Sequence, residues 1–322
     1  MLSCLPRLHR ARGGIVRIRR LRAAAFALAA TVIAPTAAVA CACGCAVFDV
    51  GTSSLLPSGA GGTAYFEYDF LDQNTDWSGT SRAPASANDD KEIRTDFFQA
   101  GAQYMFNNRW GVMAEMPFAD RLLKTETADG TIGAFQHLAL GDIRLTGVYS
   151  GFSPDMSTGV LFGVKLPTGD HTYPNFDPDT QIGQGSTDVL FGGYRTGALT
   201  PSQSFGYFAQ AIWEHEVLIQ YGYRPGAELN AAFGVSYNNA MLGDVHLAPI
   251  LQLLFSRRER DGDINGDPVN TGYTRLMVAP GVEFDREAWK FYADVEVPFY
   301  QDMNGRQLVA PAAFKIILSR NF

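Results

Sequence analysis

Between Trp289 and Phe299 every second residue is apolar (Trp289, Phe291, Ala293, Val295, Val297, Phe299), while Lys290, Tyr292, Asp294 and Glu296 occupy the positions between. A period of two places these sets on opposite faces of a β-strand. Similar alternation recurs in about twelve segments: 62–70, 93–106, 109–119, 138–150, 156–167, 186–196, 204–216, 226–238, 243–256, 272–285, 288–300 and 308–322. The last of them places Ala312, Phe314, Ile316 and Leu318 on one face and ends at Phe322. An aromatic residue closing an amphipathic final strand is the signal that the bacterial barrel-insertion machinery reads.

Alternation alone fits two folds. A secreted β-sandwich would turn its apolar faces to a core, whereas a membrane barrel turns them to lipid and its charges inward. Connection lengths separate the two. Short links fall near Asn107-Asn108, Pro154-Asp155, Pro201, Asn238-Asn239 and Asp285-Arg286, and the long ones include residues 71–92, 120–137, 168–185 and 257–271. Short periplasmic turns alternating with longer external loops predict an all-β, transmembrane antiparallel barrel of about 12 strands with periplasmic termini. Closure leaves no sheet edge facing hydrocarbon. Trp110, Phe118, Trp213, Trp289, Phe299 and Tyr300, near predicted strand ends, suit an aromatic belt against outer-membrane lipid.

The N-terminus agrees with export. Residues 1–22 hold seven Arg and no acid, residues 23–34 are apolar, and Ala38-Val39-Ala40 is a small-x-small cleavage site. This is the pattern of a secretory signal peptide; Arg19-Arg20 raises the twin-arginine route, which the following residues fit poorly. The expected organisation is residues 1–40 as signal peptide, 41–61 as a periplasmic N-terminal segment and 62–322 as the barrel, in the bacterial outer membrane. Removing seven Arg leaves 19 of the 26 basic residues against 33 acidic ones, near −14. Such a surface argues against nucleic acid as a partner.

By strand parity the inward-facing set, and hence the expected pore lining, comprises Glu67, Asp69, Glu115, Asp142, Arg144, Lys165, Asp188, Gln210, Glu228, Arg275, Glu283, Lys290, Asp294, Glu296 and Lys315, joined by Glu214, Asn230 and Gln252. Both signs occur, so the lumen either conducts or is closed by charges pairing across it.

Gly163-Val164-Lys165-Leu166-Pro167-Thr168-Gly169-Asp170, followed after a loop by Ile182-Gly183-Gln184-Gly185-Ser186-Thr187-Asp188, resembles the outer-membrane transporter family named for the meta-pathway of phenol degradation. The barrel repeat extends that resemblance over most of residues 62–322. It implies a β-barrel pore for small, often hydrophobic organic solutes. Pro167 suits a strand end, where a missing N–H is tolerated. The two motifs either shape the third external loop or take part in gating.

Two clusters suggest metal. Cys41, Cys43 and Cys45, at the expected mature N-terminus, present three thiols at alternate positions, a set suited to Cu(I) or Zn(II) and to a periplasmic partner. Lipidation of Cys41, oxidation, or no specific role are the rival readings. Asp261, Asp263 and Asn265 with Gly266 match the opening of a calcium loop, but position twelve would be Gly272, where a bidentate Glu is required. Catalysis is not expected, because His137, His171, His215 and His246 accompany no Gly-x-Ser-x-Gly elbow. The leading function is a channel for small solutes, aromatic or hydrophobic ones among them. The alternative is a barrel-anchored structural or metal-handling protein acting through the three cysteines.

Overall fold

The computed structural model describes residues 55–57 and 59–322. The expected signal peptide and the cysteines at 41, 43 and 45 lie outside them.

Sixteen strand segments form one antiparallel sheet: β1 (Gly61–Gln73), β2 (Thr75–Gly79), β3 (Ser81–Arg82), β4 (Asp90–Met105), β5 (Trp110–Glu126), β6 (Ile132–Leu140), β7 (Arg144–Tyr149), β8 (Thr158–Lys165), β9 (Ser186–Ala198), β10 (Phe205–Ile219), β11 (Glu228–Tyr237), β12 (Ala240–Leu242), β13 (Val245–Arg258), β14 (Tyr273–Arg286), β15 (Trp289–Val309) and β16 (Ala313–Asn321). They make a closed barrel of twelve staves. β6 and β7 are one stave interrupted at 141–143, β12 extends β11, and β2 and β3 form a hairpin above β1. β1 closes the ring against β16 in the register Thr63↔Asn321 to Leu71↔Ala313. Phe322 continues that pairing through its backbone, exchanging two 2.8 Å hydrogen bonds with Gly62. Its ring lies over Gly62, where a Cβ would collide with it.

The burial pattern decides between sandwich and membrane barrel. Along β1, Glu67, Asp69 and Gln73 are buried beside Tyr65 and Leu71, while Phe66, on the other face, is half exposed. The same inversion places Phe162, Phe191, Trp213, Phe233, Leu251 and Phe299 outside, and Lys165, Asp188, Gln210, Asn230, Gln252 and Glu296 inside. An apolar exterior around a polar interior is what lipid demands and water would not stabilise. No helix among the described residues is long and apolar enough to cross a membrane.

Two connections differ from the expected lengths. Residues 120–137 are mostly strand, because β5 continues to Glu126 and returns through a tight turn into β6; Leu122 and Leu123 keep the alternation going past the expected boundary. Residues 301–309 also read as strand, yet the chain reverses at Asn304-Gly305, where Gly305 takes a φ of 68°. Beyond it Arg306–Val309 pair back onto β2.

Candidate lumenal path

The residues expected to face inward are all buried or half-buried. They fall at three depths.

At the external mouth the segment between β8 and β9, residues 166–185, folds into the barrel opening. Arg121 of β5 holds it from inside: Nη1 donates to the carbonyls of Thr180 at 2.6 Å and Gln181 at 3.1 Å, and Nε donates to Thr95 Oγ1 at 3.0 Å. Phe176 packs against Ile93, Leu123 and Leu308. The root of this segment is clamped by Asp142, whose Oδ1 accepts from Gly169 N at 2.9 Å and Oδ2 from Gln184 N at 2.7 Å. A Cβ on Gly169 or Gly183 would overlap the other's backbone, so both motif glycines are required by close approach. The paired motif is thus a clasp that brings the two ends of the loop together and leads it inward.

The clasp also covers a sheet edge. Above Arg144 the wall lacks a ladder, because β6 pairs with β5 alone and β8 stops opposite β7 at Arg144↔Lys165. The loop takes its place: Asp170 N donates to Leu140 O at 3.1 Å, Tyr173 Oη donates to Gln136 O at 3.3 Å, and the Tyr173 ring stacks on His137 at 3.9 Å. The backbone amide of Thr172, and after it His137, hold the Asp170 carboxyl below the usual carboxylate range against its partial burial. Nearby, burial pushes the Asp177 carboxyl up, and Asp267 and Asp89 add to the rise.

Halfway down, two charged clusters occupy different parts of the wall. In the first, Lys165 forms ion pairs with Asp188, directly opposite on β9, and with Glu214 Oε1 at 2.6 Å; Arg144 Nη2 reaches Glu214 Oε2 at 3.1 Å. In the second, Lys315 lies 3.2 Å from Glu67 Oε1 and 3.7 Å from Asp69 Oδ1, with Asp294 across on β15 and Glu296 beyond it. Tyr292 Oη donates to Asp294 Oδ2 at 2.6 Å, and Gln252 Nε2 donates to the same oxygen at 3.2 Å. Further lumenal contacts include Lys290 to Glu283 at 3.4 Å, Asn230 to Glu228 at 2.9 Å, and the Arg275 guanidinium 4.2 Å from the Tyr273 ring.

Nearer the periplasmic end the lining turns apolar and encloses a cavity of about 50 Å³. Its walls include Met113, Val148, Leu161, Leu190 and Ile212, and its polar edge is Tyr65, Gln103, Glu115, Arg144 and Gln210. Tyr65 Oη donates to Glu115 Oε1 at 2.6 Å. Leu55, Leu56 and Pro57, which precede the first strand, also line it; Leu56 packs against both lumenal apolar clusters around Tyr65 and Met105. Sequence reasoning missed these three residues, although two leucines and a proline before a barrel otherwise lined by polar side chains were a signal to weigh.

In the acidic loop near residue 261 the polar side chains have partners within the protein. Asp261 is buried, accepting from Arg258 at 2.9 Å, Gly226 N at 2.8 Å and Tyr223 Oη at 2.8 Å. Asp263 Oδ1 accepts from Ile264 N, and the Asn265 side-chain amide donates to Tyr221 O. Among the described residues no group of three His, Cys, Asp or Glu has an arrangement that would hold a metal ion.

No protein-family model matches the chain, and no curated protein matches it. Among solved structures it is similar to an outer membrane channel from Pseudomonas putida F1, with a TM-score of 0.60 and 12% identity over 85% of this chain and 100% of that one. Weaker likenesses include the beta domain of a Bordetella autotransporter (TM-score 0.48, 12% identity, 82% of this chain and 100% of that one). Another is the CymD monoaromatic hydrocarbon channel (0.42, 9%, 82% and 89%). At such identities the first likeness is one of fold, and the two weaker ones add nothing to it. The chain has the fold of an outer-membrane β-barrel.

Proposed function

We propose that this chain is an outer-membrane channel for small solutes, with hydrophobic and aromatic molecules among them. The observation that carries the reading is the cavity inside the barrel, apolar over most of its wall and edged by Tyr65, Gln103, Glu115 and Gln210. An apolar wall with a few polar groups is the usual lining of small-molecule sites. The resemblance of the 163–170 and 182–188 motifs to the phenol-pathway transporter family supports the same class of solute. Placement in the bacterial outer membrane, insertion by the barrel-assembly machinery through Phe322, and contact with outer-membrane lipid belong to this reading. The mouth loop above the cavity and Leu55–Pro57 beside it are the elements that a passing solute must displace. Purified, folded protein in planar bilayers is expected to carry current, and in liposomes to admit small uncharged aromatics faster than protein-free vesicles do. A folded preparation that does neither contradicts the proposal.

A further inference from the structure

On the β1–β16–β15 part of the wall, one lysine faces four carboxylates. The register sets Lys315 directly opposite both Asp69 and Asp294, with Glu67 and Glu296 two residues away on the same inward face. Lys315 pairs with Glu67 and Asp69, and one Asp294 oxygen is taken by Tyr292 and Gln252. That leaves Asp69 Oδ2 and Asp294 Oδ1, both buried with no hydrogen-bond partner, on residues only 3% and 6% exposed. Even with Arg275 of β14 counted as a second base, the carboxylates remain in excess.

Buried anionic oxygens without partners are costly unless they take up a proton or positive charge comes to them. The carboxylates do not converge as a metal cage does, so what they create is a field along the passage rather than a chelating centre. Fixed charge of one sign in a narrow, low-dielectric passage concentrates ions of the opposite sign and repels its own.

We infer that the lumen passes small monovalent cations, organic ammonium ions included, in preference to anions, and that the carboxylates around Lys315 set this preference. The inference rests on the channel reading above. Reversal potentials of the full chain in a planar bilayer under a potassium chloride gradient test it. The wild-type protein is expected to favour potassium over chloride. Asp69→Asn combined with Glu296→Gln is expected to bring the permeability ratio several-fold closer to unity, and Lys315→Gln to move it the other way, with heat-modifiable gel mobility as the folding control. A wild-type channel that favours anions or neither ion overturns the inference, as does an amide variant that keeps the wild-type ratio. Should the variants not fold, the wild-type ratio still decides, because a preference set by fixed charge must weaken as salt rises. A ratio independent of salt overturns it. A folded barrel that carries no current in any salt overturns the channel reading and this inference with it, whereas current without preference overturns only the inference.

Discussion

The Lys165 and Lys315 clusters come from the same alternation of residues and are built differently. Around Lys165, two bases meet two acids in short ion pairs, with Asp188 and Glu214 on one side and Lys165 and Arg144 on the other; the third acid, Asp142, spends its oxygens on the backbone of the mouth loop. Around Lys315, acids outnumber bases and two carboxylate oxygens have no partner. In the first cluster acids and bases balance, although Asp188 Oδ1 also lacks a hydrogen-bond partner, and the cluster joins wall to loop. The second holds charge in reserve for something that passes. Side-chain parity places a charge in a lumen, but the balance of charge across neighbouring strands decides whether it braces the barrel or acts on its contents.

This contrast is open to breaking by mutation. The largest effect is expected for Lys165→Met, which strips both Asp188 and Glu214 of a buried partner; removing one member of such a set costs about 3–5 kcal/mol. Unfolding of the detergent-solubilised barrel in urea would show it, and a loss under 1 kcal/mol would mean that the cluster is wet and only weakly coupled. Second, replacing one acid by its amide should have opposite consequences in the two places. Asp188→Asn is expected to destabilise by about 1–3 kcal/mol, since it weakens the ion pair with Lys165, while Asp69→Asn is expected to be neutral or stabilising, since it relieves like charge. Equal losses at the two sites would erase the distinction.

A third expectation concerns the clasp. Asp142→Ala leaves the amides of Gly169 and Gln184 unpaired, at a cost of about 1–3 kcal/mol for a buried donor, and should free residues 166–185 for proteolytic nicking while the strands stay intact. A loop as resistant as wild type would show that Arg121 and Phe176 suffice to hold it. The smallest effect is one of pH. Because burial raises the Asp177 carboxyl above its ordinary value, the folded mouth binds a proton more tightly than the unfolded loop does. Its closed form is therefore favoured at acid pH and loses stability as pH rises from about 4. Nicking of the loop should increase across that window, and Asp177→Asn should flatten the increase.

Much of this architecture is legible in the sequence because a barrel is locally coded. The two-residue period of Trp289–Phe299 and of Ala312–Phe322 announces strands, and parity alone assigns Lys165, Asp188, Gln210 and Lys315 to the interior. What depends on contacts between distant segments is not legible in this way. The break at Gly141-Asp142-Ile143 lies inside an otherwise regular stave, and its reason, the approach of Gly169 and Gly183 about thirty to forty residues later, is visible only once the loop is folded. Gly305 lies in the connection between the expected strands 288–300 and 308–322, and what the sequence does not show is that pairing runs up to both sides of its turn. Leu55 and Leu56 look like a linker until the lumen beside them is seen to be apolar. The unequal charge balance of the two clusters follows from which strands are neighbours, which twelve similar segments do not declare.

The central claim is that solutes travel through the polar interior of this barrel. Its most direct test is current through single-cysteine variants, in a background where Cys41, Cys43 and Cys45 are Ser, before and after a water-soluble thiol reagent. Modification at Gln210→Cys, on the cavity wall, is expected to cut the current, and modification at Phe233→Cys, on the outer face, to leave it unchanged. A current insensitive to modification at both positions, with labelling of Gln210→Cys verified by mass, would place the conducting path elsewhere and contradict the account.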